Sequence, residues 1–220
     1  VSTEPVDLPD PALMWSRWAA FSAALACLGV RDVWWIDEAG AHLDDHGGSA
    51  AHLVLGEDGG ALCYGWDRDG SDTGDHSPPI DLCAGAPDWA PFEHLGALAA
   101  QELLGWVVWF APGTGWRRVG YPAGVDDGRA GLLGLVGGDR RALSELLQVQ
   151  TDWAGYDPAD EAGVAALTAA GERFLASAAR GSVDSAALQG LFAARGDGAP
   201  AVDVAAGLAV AARAGLVAGT

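Results

Sequence analysis

The chain of 220 residues is long enough to close one domain with an appendage or two small ones, and half of it is apolar, which excludes a disordered polymer. Thirty Asp and Glu against 12 basic residues, every one an arginine, leave a net charge of −18. Such a field repels phosphate backbones and anionic lipid, which excludes nucleic acid and membrane surfaces as first partners. The charge is also lopsided, because residues 1–110 carry 18 acids against 3 arginines and residues 111–220 carry 12 against 9.

In chain order, Glu4, Asp7 and Asp10 stand where a secretory leader would carry basic residues, and no apolar run reaches the roughly 18–20 residues of a membrane span. A cytoplasmic location is expected, and Cys27, Cys63 and Cys83, an odd set without CxxC spacing, suit a reducing compartment as small buried hydrophobes. Asp10-Pro11 reads as an N-cap followed by proline at the first helical position. Met14, Trp18, Phe21, Leu25 and Leu28 then recur at helical spacing until Gly29. Val33 to Asp37 is β-branched and aromatic and suits a strand, whereas Ala39 to Ala50 reads as a turn-rich loop. His52 to Leu55 and Ala61 to Tyr64 flank Glu57-Asp58-Gly59-Gly60, a tight-hairpin signal. Asp67 to His76 is a polar loop, and a helix is expected from Phe92 to Leu104, stopped by Gly105. A second hairpin joins Trp106–Phe110 to Trp116–Tyr121, with Trp106, Val108 and Phe110 on one face and Val107 and Trp109 on the other.

From Val125 to Gly138 the sequence is glycine-rich and reads as a linker. Beyond it the pattern is helical, with starts expected at Asp139 and at Asp157-Pro158, a third helix around Leu188 to Phe192 and a fourth after Pro200. The fold class expected is therefore α+β: an N-terminal helix with a mainly antiparallel sheet built from hairpins over residues 1–124, a linker over 125–138, and Ala-rich helices over 139–220. Those helices would dock on the sheet domain or serve a homodimer.

Three chemistries compete. Asp67, Asp69, Asp72 and Asp75 with His76 place oxygen ligands at alternating positions, as calcium or magnesium would want, but Gly70 and Pro78 depart from the EF-hand pattern. Should the loop holding His42, Asp44, Asp45 and His46 meet this one, His46, Asp67, Asp69, Asp75 and His76 would form a metal-dependent hydrolytic site, with Asp67, Asp69 and Asp75 as metal candidates. No Gly-x-Ser-x-Gly elbow, HEXXH pair or phosphate loop is present, and no cofactor is expected.

The ten tryptophans carry the second and third readings, nine of them lying before residue 120. Trp66, Trp89, Trp106 and Trp109 could line a pocket that sequesters an aromatic metabolite. Alternatively Trp34, Trp35, Trp66, Trp89 and Trp109 are surface anchors for a basic protein partner, since rings supply affinity and carboxylates accelerate encounter. The last is the favoured expectation: an acidic protein-binding module, of the kind an immunity or antitoxin-like inhibitor represents.

Overall fold

A computed structural model describes residues 2–157, 161–193 and 201–218. It is α+β, with seven strands and seven α-helices among those residues. The strands are β1 (Thr3–Pro5), β2 (Trp34–Asp37), β3 (Gly40–Asp44), β4 (Ala50–Leu55), β5 (Ala61–Trp66), β6 (Trp106–Ala111) and β7 (Gly115–Val119). They form an antiparallel sheet in the order β1-β7-β6-β5-β4-β3-β2. The helices are α1 (Pro11–Cys27), α2 (Phe92–Ala100), α3 (Arg129–Gly137), α4 (Asp139–Gln148), α5 (Glu161–Ala179), α6 (Ser185–Phe192) and α7 (Val204–Arg213).

By contacts the chain divides into a sheet unit, residues 1–11 and 42–134, and a helical unit, residues 12–41 and 135–220. This differs from the expected division in two respects. The N-terminal helix and β2 belong with the C-terminal helices, and the glycine-rich stretch contains α3 instead of a linker.

Within the sheet unit both expected hairpins form. Gly59 supplies the positive φ of the first turn, whose ends are tied by the Gly56 N–H donating to the Gly60 carbonyl at 2.8 Å. Residues 50–55 pair with 61–66 in unbroken register. Leu62 and Tyr64 on β5 and Val107 and Trp109 on β6 share one face by strand alternation, and Leu82, Leu95 from α2 and Leu104 complete that core. At Gly65 an added Cβ would lie 2.3 Å from the Ala50 carbonyl oxygen and 2.6 Å from the Trp106 ring, so only glycine fits there. β1 and β3 were not expected; residues 40–44 form a strand inside the stretch that reads as loop. The second helix stops at Ala100, four residues early, and Glu102 takes a left-handed φ of 60°.

The helical unit packs α1 against β2 through aromatic rings. Trp18 and Phe21 meet Trp34 edge-on, with centroids 5.2 and 5.0 Å apart. Small residues allow α1 and α7 to touch, since a Cβ on Gly207 would fall 2.3 Å from Cys27 Sγ. Asp184 and Asp203 cap α6 and α7 by accepting the Ala187 and Ala206 N–H groups at 2.7 and 3.0 Å. Asp139 is not a cap: α4 has Gly138 in that position, and the Asp139 carboxylate pairs with Arg17 instead. The start expected at Asp157-Pro158 and the break at Pro200 fall at or within positions outside the described residues, and α5 is described from Glu161.

Candidate functional site

The acidic loop leaves β5 through a turn that it builds itself. Asp67 accepts the Asp69 N–H on Oδ1 at 3.0 Å, and its carbonyl accepts the Ser71 N–H at 2.9 Å. Ser71 Oγ donates to the Asp127 carbonyl at 2.8 Å, and Thr73 Oγ1 donates to the Gly105 carbonyl at 2.6 Å. These two hydroxyls staple the loop down on both sides. The result is a cleft of about 320 Å³ in which Trp66 forms a wall, Asp69, Asp72, Asp75 and Glu102 supply carboxylates, and Arg68 is the one cation among its lining residues. The Arg68 guanidinium donates to the Gly47 carbonyl at 3.1 Å and its backbone N–H to Ser49 Oγ at 3.2 Å, so the 45–49 and 67–70 loops do lie side by side.

Although the loops are adjacent, His46, Asp67, Asp69, Asp75 and His76 supply no three-ligand metal cluster among the described residues. His46 lies 3.8 Å from Asp44, and His76 sits at hydrogen-bond distance, 2.8 Å, from the Pro78 carbonyl. Asp67 shapes the turn, and of the five candidates Asp69 and Asp75 line the cleft. Among the described residues no group of three His, Cys, Asp or Glu is arranged to hold a metal ion. His42 and His52 instead face each other across β3 and β4 with Nδ1 atoms 2.8 Å apart, a contact that needs one ring as donor and the other as acceptor. Burial pushes the Cys63 and Cys83 thiols upward, and Cys27 to about 11, so none favours thiolate.

The tryptophans separate sharply. Trp34 is 1% exposed and Trp109 6%, which corrects their expected role as anchors: the first is covered by Trp18 and Phe21, and the second belongs to the sheet-unit core. Trp106 is fully buried as well. Trp35 and Trp66 are half-buried, while Trp89 is 43% exposed. Trp89 is backed by main chain, because a Cβ at either Gly56 or Gly60 would come within 3.2 Å of its ring. Leu55, at the entrance of the same turn, is 43% exposed, and Phe92, three residues beyond Trp89, is 44% exposed. Glu57, Asp58, Asp88 and Glu93 are exposed on the same two segments, which contain no arginine.

Two features escape sequence reasoning. Glu102 enters the cleft only because α2 ends early. Asp127, 5% exposed, is held by Arg129 and by Arg118 at 3.5 Å, and the Arg118 guanidinium lies 3.9 Å over the Tyr121 ring. The opposite-signed runs Arg117-Arg118 and Asp126-Asp127 were the available signal. This cluster anchors the strand of chain to which Ser71 is bonded.

Fold and site together define an acidic α+β protein with a carboxylate-lined cleft and a separate exposed aromatic face on its sheet unit. Comparison with protein-family models, with curated protein sequences and with solved structures gives no match. Among the described residues no helix is long and apolar enough to cross a membrane.

Proposed function

We propose that this chain is an acidic protein-binding module that docks a basic protein partner on the sheet unit, with Trp89 as the anchor. The observation that carries the reading is an indole 43% exposed and packed on the two glycines Gly56 and Gly60, in segments whose exposed charges are all negative. Aromatic anchors dominate interface energetics when a partner seals them from water, and surrounding charge of one sign accelerates encounter with the opposite sign. The cleft beside Trp66 extends the same chemistry, because a partner's Arg or Lys side chain would meet an aromatic wall and four carboxylates. An inhibitor of the immunity type, covering the basic face of a nucleic-acid-directed enzyme, is the form this reading takes.

The test is affinity capture with the intact chain and its Trp89→Ala variant in parallel, followed by a titration with the purified partner. A basic partner, bound at least about tenfold more weakly by the variant, is the expected result. A partner that is acidic, or one indifferent to Trp89, would overturn the proposal.

A further inference from the structure

The helical unit contains a groove of its own. It measures about 540 Å³, within the usual range for small-molecule sites, and lies between α1, α4 and α5. Leu13, Leu143 and Leu175 give it an apolar lining, and Gly171 keeps α5 close to α4, since a Cβ there would lie 2.8 Å from Leu143 Cδ1. Four charged groups reach it: Arg17, Asp139, Arg140 and Glu172.

These four are not equivalent. The Arg17 side chain is 7% exposed, whereas that of Asp139 is 96% exposed, and Arg140 and Glu172 are exposed residues of opposite sign. Exposed charges are screened by water, so the buried guanidinium sets the preference of the groove for one sign of ligand. Arg17 is oriented by donating to the Val136 carbonyl at 2.7 Å, and it pairs with Asp139 Oδ1. These contacts engage two of the five donors of a guanidinium. We infer that this groove is a binding site for a small amphipathic carboxylate, whose apolar body lies on Leu13, Leu143 and Leu175 while its carboxylate takes the place of Asp139 on Arg17. Desolvation by burial, opposed by Asp139, lowers the Arg17 pKa, so the guanidinium carries a cost that a less hydrated anion in place of Asp139 relieves. Asp139 then acts as a resident competitor, displaced without unfolding α4 because its side chain lies almost wholly in solvent.

Octanoate, octan-1-ol and octylammonium, titrated into the intact protein below their aggregation limits and followed by calorimetry and amide chemical shifts, test this directly. Octanoate should bind, the alcohol at least about fivefold more weakly, and the ammonium weakest. Asp139→Asn should tighten octanoate several-fold and leave octan-1-ol unchanged, and Leu175→Trp should abolish both while the variant still melts cooperatively. Equal binding of acid and alcohol, preference for the ammonium, absence of octanoate binding, or indifference to Asp139→Asn would each overturn the inference.

Discussion

The sheet unit and the helical unit differ more in charge than in how they use tryptophan. The sheet unit holds 17 carboxylates against 4 arginines, and the helical unit 13 against 8. Tryptophan does not divide by unit, since Trp106, Trp109 and Trp116 of the sheet unit are buried and Trp153 of the helical unit is 48% exposed. Trp18 and Trp34 of the helical unit are sealed in its core, and Trp15 spends its indole N–H on the Ala214 carbonyl at 3.0 Å. In the sheet unit Trp89 leaves a large part of its ring in water over the main chain of Gly56 and Gly60. An indole is thus packing material or displayed surface within either unit; sequence position relative to an element, not residue type, separates Trp34 from Trp89. Trp34 opens β2 and is covered by rings of α1, and Trp89 sits in the turns before α2.

That contrast can be broken by substitution. Trp34→Ala should cost about 4 kcal/mol of stability by urea unfolding, because it empties a ring-sized space between Trp18 and Phe21, and should leave partner binding by the folded fraction intact. A loss under 1 kcal/mol, roughly the scale of an exposed substitution, would contradict the packing described. Gly65→Ala follows at about 3 kcal/mol, since its methyl group collides with backbone on β4 and the sheet must shift. Asp127→Asn should cost about 2 kcal/mol and loosen the acidic loop, because Arg118 and Arg129 lose their shared counter-charge while Ser71 keeps its bond to the backbone carbonyl. Faster amide exchange over residues 67–75, with α4 unaffected, is the accompanying signature.

The smallest effect concerns Glu145 in the helical unit, whose Oε1 accepts the Trp34 indole N–H at 3.0 Å. Burial raises its pKa above the ordinary carboxyl value of 4.5, against the opposing effect of the indole bond, while Asp152 adds to the rise. The folded state therefore holds this proton more tightly than the unfolded chain, and stability falls as pH rises from the ordinary carboxyl range through the raised value. Glu145→Gln keeps an acceptor for Trp34 and should flatten that part of the profile, with a slightly higher Tm at neutral pH than wild type. An unchanged slope would show that Glu145 is not the group responsible.

Much of the architecture was legible because turn chemistry is local. Asp58-Gly59-Gly60 announces its hairpin without help from the rest of the chain, and Pro11 marks where α1 begins. β3 was illegible because Gly-Ala-His-Leu-Asp offers no β-branched residue, and its pairing partners supply the reason for the strand. α3 was illegible for a related reason. Its glycines read as a linker, yet at Gly131 a Cβ would stand 2.9 Å from Asp67 Oδ2, so tertiary proximity favours the residue that propensity disfavours. Trp34 and Trp109 were misplaced because alternation assigns a side chain to a face but says nothing of what covers that face. The cleft was half visible: Asp69, Asp72 and Asp75 follow from the loop pattern, whereas Glu102 depends on where α2 stops.

The most direct measurement is the association rate of the purified basic partner with the intact chain as ionic strength is raised from about 0.05 to about 0.3 M, beside the triple variant Glu57→Gln, Asp58→Asn, Asp88→Asn. The account expects a wild-type rate that falls at least about tenfold over that range and a variant whose rate is slower at low salt and nearly flat. Identical salt dependence in the two proteins would contradict it, since the carboxylates around Trp89 would then have no part in drawing the partner in.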